Sequence, residues 1–157
     1  MQAYSLPARC VAAAALWSIA LLAAGADVNL ANLKGVTPLM GAAFAASAEA
    51  TRKLLAAGAR IDPLDRVHKN AATYAAASGC TACLQALIEA GTKVNQRLDN
   101  NLTLLMWASA YGHMGTVREL LAQGADGSLR DARDKSAADM AREANHLAVA
   151  ELLEPTN

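Results

Sequence analysis

Apolar positions along the chain fall into short helical bursts separated by polar turns, and the bursts return in one order. The clearest is an apolar run closing on a glycine: "LLAAGADVN" at 21, "LLAAGARID" at 54, "LIEAGTKVN" at 87 and "LLAQGADGS" at 120. Gly25, Gly58, Gly91 and Gly124 stand 33 residues apart with no insertion or deletion. A fixed period of that length is the signature of stacked repeats. Between successive glycines run a polar turn, a short Ala-rich segment, a break and a second apolar-periodic segment. Glycine reaches the left-handed conformation that ends a helix, and Pro38 fits the first turn of a helix capped by Thr37. Each unit is therefore predicted to be a turn, a helix, a tight connection and an antiparallel helix.

Over about residues 21 to 154 this grammar resembles the ankyrin-repeat pattern, D-x-x-G-x-T-P-L-H-x-A-A-x-x-G-H-x-x-x-V-x-x-L-L-x-x-G-A-D-V-N. The resemblance implies an all-α solenoid of stacked helix-turn-helix units joined by short turn or β-hairpin loops. Units are expected at about 32–64, 65–97, 98–130 and 131–154, within an ankyrin-repeat domain spanning 27–157. The T-P-L-H box survives in part: Thr37-Pro38-Leu39-Met40 lacks the His, Thr103-Leu104-Leu105-Met106 lacks the Pro, and Asn70-Ala71-Ala72-Thr73 keeps almost nothing. The turn glycine, Gly35, becomes His68, Asn101 and Asp134 in later units. Asn and Asp tolerate positive φ better than His does, so looseness is expected near residues 65 to 72. Charged residues of the last unit, among them Asp139, Arg142, Glu143, Glu151 and Glu154, suit an outer face with no following neighbour.

The first 26 residues allow two readings. No charge occurs between Arg9 and Asp27, and Ala24-Gly25-Ala26 fits a cleavage site, so a signal peptide and an exported, periplasmic or secreted protein is the favoured expectation. Leu21, Leu22, Gly25 and Val28 nevertheless keep the repeat phase, so a degenerate N-terminal capping unit on a cytoplasmic chain is the alternative. The run is too short and Ala-rich for a stable membrane span.

Composition narrows the function. Fourteen basic residues balance fourteen acidic ones, and no basic run forms a patch, which argues against nucleic acid. No nucleophile elbow, zinc-protease helix, phosphate loop or EF-hand spacing occurs, and no carboxylate pair stands out, so no enzyme activity, metal or cofactor is expected. Cys80 and Cys83 form a C-x-x-C without the strand that a thioredoxin-type motif needs before it. Two packing thiols are the plainer reading, and an oxidised pair in an exported protein, or a thiol-redox or accessory role, is the alternative. His113 and His146 match the inter-helix turn, where a backbone hydrogen bond is the expected task, and His68 reads as an exposed turn-tip residue.

What remains is a surface. In ankyrin-repeat proteins partners bind the concave side formed by turn tips and first helices, which implies a non-catalytic protein-protein interaction module, expected to be monomeric. Carried over by position, that surface comprises Leu33, Lys34, Val36 and Phe44 in the first unit and Arg66, Val67, Lys69, Ala77 and Ser78 in the second. The third contributes Asp99, Asn100, Leu102, Ala110 and Tyr111, and the last Arg133 and Lys135. Tyr111 and Phe44 are the expected anchors, Arg66 and Arg133 the expected bidentate contacts, and Trp107 is expected to pack between units.

Overall fold

The computed structural model describes residues 27–154, so the question of signal peptide or capping unit over 1–26 lies outside the described residues. Among the described residues there are eight α-helices in four antiparallel pairs and no strand. The pairs are α1 (Pro38–Phe44) with α2 (Ala48–Ala56), α3 (Ala71–Ser78) with α4 (Thr81–Glu89), α5 (Leu104–Ala110) with α6 (Met114–Ala122), and α7 (Ala137–Glu143) with α8 (Leu147–Leu153). The odd-numbered helices form an inner row and the even-numbered ones an outer row. Each unit packs on its sequence neighbours, as a solenoid requires.

Every inner helix starts on a polar cap at the same phase. The Thr37 and Thr103 hydroxyls accept from the Met40 and Met106 N–H at 3.3 Å, and Ser136 forms a reciprocal capping box with Asp139. In the second unit the Asn70 side chain accepts from both the Thr73 N–H, at 2.9 Å, and the Thr73 hydroxyl, at 3.0 Å. The loss of the T-P-L-H box at Asn70 therefore leaves the helix start intact: the cap needs only a short polar acceptor, and Asn supplies one as well as Thr does.

The expected looseness over 65 to 72 is corrected for a related reason. His68 does adopt φ 56°, in phase with Gly35 at 78°, Asn101 at 58° and Asp134 at 61°. Buried Asp65 holds that turn from inside, one carboxylate oxygen accepting the Val67 and Lys69 N–H groups at 2.9 Å each. Asn32 and Asp131 do the same one period before and two periods after. The first residue of the unit therefore ties the turn, and the strain at His68 is offset locally.

The interior is built from small side chains on the inner row and leucines on the outer. Ala42, Ala43, Ala71, Ala72, Ala75, Ala76 and Ala108 are buried, which lets the inner helices approach closely. The inner row is the more closely packed of the two. Leu54, Leu87 and Leu120, the same phase in three outer helices, have no exposed surface.

Polar side chains stitch one unit to the next. Asn29 accepts from the Arg60 N–H at 2.8 Å, and Asn95 accepts from the Asp126 N–H at 2.8 Å while donating to the Gly124 carbonyl at 2.9 Å. The closing Asn of "ADVN" and "TKVN" is thus an inter-unit clamp. As expected, His113 reaches a backbone carbonyl, that of Ala77, at 2.9 Å. It does so by lying flat where Gly79 leaves room, since a Cβ there would stand 2.6 Å from the imidazole. His146 takes the same place over Gly112.

In the last unit Lys135 pairs with Glu143 at 3.0 Å, and Arg142 pairs with Asp139 at 3.1 Å and with Glu154. The charges expected there do form a polar end face. Truncating Leu54, Leu87 or Leu120 to Ala leaves a cavity between outer helices and is expected to cost roughly 2 to 5 kcal/mol each. Thermal or denaturant unfolding of the three variants measures this, and unchanged curves for all three contradict the stacking.

Candidate functional site

The site is built on the second and third turn tips and the inner helices behind them. Neighbouring tips are joined through their backbones in two places: the Arg66 N–H donates to the Lys34 carbonyl at 3.0 Å and the Ala132 N–H to the Asn100 carbonyl at 2.8 Å. Between the second and third tips the described residues form no such bond. Leu98 stands where Asn32, Asp65 and Asp131 tie their own turns, and an aliphatic side chain cannot accept the turn N–H groups. That tip winds instead into a short 3-10 turn at Asp99–Asn101, with φ 56° at Asn100 and 58° at Asn101.

The result is a notch of about 180 Å³ lined by Val67, His68, Lys69, Thr73, Leu98, Asp99, Asn100, Leu102 and Trp107. One side-chain bridge spans its mouth: His68 Nδ1 lies 2.9 Å from Asp99 Oδ2. Both partners are exposed. Asp99 holds the His68 imidazolium by a hydrogen bond and by its charge, which raises the His68 pKa above its ordinary value of 6.5.

Behind the notch an aromatic ridge crosses the stack. Phe44 meets Tyr74 edge to face at 5.7 Å between ring centres, and Trp107 stacks on Tyr111 at 6.2 Å, with the His113 ring 6.3 Å beyond. The Lys69 ammonium joins the two halves, 4.4 Å from the Trp107 ring centre and 5.9 Å from that of Tyr74. A cation over an indole face is attracted by the ring quadrupole, so Lys69 is held across the notch floor. The Tyr74 hydroxyl donates to Asp65 at 2.5 Å. Burial and that carboxylate keep the phenol protonated far above its ordinary range.

The residues singled out from the sequence separate by where the structure places them. Val67, Lys69, Asp99, Asn100 and Leu102 line the notch, and Phe44 and Tyr111, 42% and 53% exposed, stand at the two ends of the ridge. Leu33, Lys34, Val36 and Arg66 belong to the first two tips, with Leu33 89% exposed and Val36 half-buried. Ser78 turns inward: its hydroxyl donates to the Ala43 carbonyl at 2.9 Å, a bond between units.

Arg133 and Lys135 are already engaged within the chain. The Arg133 guanidinium closes on buried Asp131 at 2.9 Å, and Lys135 pairs with Glu143. Burial works against the Asp131 charge, but the turn N–H groups and Arg133 outweigh it and bring its pKa down. Trp107 does pack against the core while half-buried, but its ring also forms the notch floor. Tyr74 was not singled out from the sequence and Trp107 was expected only to pack between units, although the two stand 33 residues apart, in one phase of the repeat.

Cys80 and Cys83 are bonded to each other, which makes the oxidised alternative the state present in the structure. Cys80 caps α4, its sulfur 3.2 Å from the Cys83 N–H. Cys80 is 8% exposed and Cys83 fully covered.

The profile of a family described as ankyrin repeats in three copies matches residues 10–98, and that of a single ankyrin repeat matches residues 100–135. The chain belongs to the ankyrin-repeat family. Among curated relatives, the ankyrin repeat domain-containing protein SAT10 of Stachybotrys chartarum is 33% identical over 117 residues, 73% of this chain and 6% of its own. The ankyrin repeat and KH domain-containing protein mask-1 of Caenorhabditis elegans is 31% identical over 115 residues, 72% of this chain and 4% of its own. The putative palmitoyltransferase ZDHHC13 of Danio rerio is 34% identical over 87 residues, 54% and 14%. The chain thus spans at most 14% of the length of these relatives. Family and relatives support a protein-protein interaction module.

The His68–Asp99 bridge carries a pH dependence whose sign is fixed. A raised folded-state pKa gives a contribution fully present below pH 6.5 and lost as pH rises through the folded value. Following the His68 ring signals through an NMR pH titration should give a midpoint above 6.5, and Asp99→Asn should lower it. A midpoint unmoved by Asp99→Asn removes the bridge.

Proposed function

We propose that this chain is a non-catalytic module that binds a protein partner through its concave face, centred on the notch between the second and third turn tips. The observation that carries this reading is the ridge from Phe44 to Tyr111, which aligns partly exposed aromatic rings across three units beside an open cleft. Aromatic side chains supply large contact area with little rotamer entropy to lose, and binding energy concentrates on such residues. Polar groups at the notch mouth would fix the register of the partner, while the buried core behind it keeps the ridge in place. The whole-protein activities of the relatives are left to those proteins, because this chain spans so little of them.

The direct test places a photo-crosslinking residue at Val67 or Tyr111 on the concave side, and at Arg118 on the outer row, in the native host. The reading expects a shared crosslinked protein from the first two positions and none from the third. With that protein in hand, Trp107→Ala and Tyr111→Ala should each weaken binding by about tenfold or more with the fold intact. Unchanged affinity in both variants places the binding surface elsewhere.

A thiol-redox or accessory role draws support from the Cys80–Cys83 bond alone. Coverage of both sulfurs opposes exchange, because an attacking thiolate must reach one of them, and buried cysteines are inert. Native-state reduction by a small dithiol is therefore expected to be slow and to speed up only with unfolding. Rapid, repeated turnover of a small disulfide would instead establish the redox role.

A further inference from the structure

Charge decides what kind of segment the notch accepts. Its floor carries the Lys69 ammonium on the Trp107 ring, so the cation-binding face of that indole is already taken by the chain's own side chain. The one acidic group at its mouth, Asp99, is paired with His68. Asp65, the other carboxylate of the second tip, is buried and spent on the turn N–H groups and the Tyr74 hydroxyl. Lys34 and Arg66 lie on adjoining tips bonded through their backbones, and among the described residues neither they nor Lys69 form an ion pair. The first two tips therefore present three cations whose neighbouring carboxylates are occupied. The walls between them are apolar: Val67 is 62% exposed, and Leu98 and Leu102 are half-buried.

From this juxtaposition we infer that the notch takes a partner segment in which an acidic side chain stands beside an aliphatic or aromatic one. The carboxylate meets Lys69, the apolar side chain lies against Val67, Leu98 and Leu102, and further acidic residues extend toward Arg66 and Lys34. Unlike the last tip, where Arg133 and Lys135 are neutralised within the chain, this end of the concave face leaves its cations to a partner. The inference rests on the reading of the concave face as a binding surface and adds the chemistry of the occupant. Complementary charge at such a surface sets partner choice and association rate more than raw affinity.

The test pans a random twelve-residue peptide library against the purified chain and measures synthetic versions of the enriched peptides by calorimetry. The inference expects sequences pairing Asp or Glu with a large apolar residue, binding that weakens with added salt, a loss of about tenfold in Lys69→Gln, and retention in Lys69→Arg. Neutral or basic peptides that lose binding in Tyr111→Ala but not in Lys69→Gln overturn the acidic occupant and leave the concave-face reading standing. Peptides indifferent to both substitutions, or no enrichment, overturn both.

Discussion

Close approach of the inner helices is the constraint on which everything else depends. Ala71, Ala72, Ala75 and Ala76 let α3 lie between α1 and α5, and no single unit could bury that face alone. Ala is also the strongest helix former, so the residue that permits the approach also favours the helix that makes it. The outer leucines, Leu54, Leu87 and Leu120, are fully covered at one phase of the outer helices. With the backbone held in this way, the turn tips become a rigid comb whose spacing is set by the helices beneath.

On that comb, the places where a unit departs from its neighbours are the places where the surface opens. Leu98 in place of a turn-tying Asn or Asp gives the 3-10 turn and the notch beside it. A second case lies at the far edge, where Asp62 occupies the phase of the clamping residues Asn29 and Asn95. A carboxylate cannot donate to the Gly91 carbonyl as Asn95 does to that of Gly124, and a polar cleft lined by Ile61, Asp62, Gly91 and Gln96 remains there. Aromatic rings and cations without an ion pair converge on the first departure. The second is lined by no aromatic ring and by a single cation, Lys93.

Much of the fold was legible in the sequence because the 33-residue period is a strong local signal. Gly58, Gly91 and Gly124 do take positive φ at the helix ends, Thr37 does cap α1, and His113 does bond to backbone. The sequence reading underestimated the second unit because it judged Asn70-Ala71-Ala72-Thr73 by likeness to a motif. Asn70 caps as well as the threonine it replaces, and Asp65 steadies a turn that His68 alone would strain.

The site was legible only in outline. Position in the repeat identified Lys69, Asp99, Leu102 and Tyr111, but not the pairing that sets Arg133 and Lys135 apart from Lys34 and Arg66, since ion pairs form across eight residues or within one turn without a sequence mark. The ridge through Tyr74 and Trp107 follows from their shared phase, yet Lys69 bridging them is a contact between units that the phase does not reveal. Chemical-shift mapping of the isotope-labelled chain with a bound partner peptide is the most direct test of the central claim. The account predicts that shifts concentrate at the Trp107 indole N–H, at Val67 to Lys69 and at Asp99 to Leu102. Shifts centred on the outer helices α2, α4 and α6, with the Trp107 signal unmoved, would contradict it.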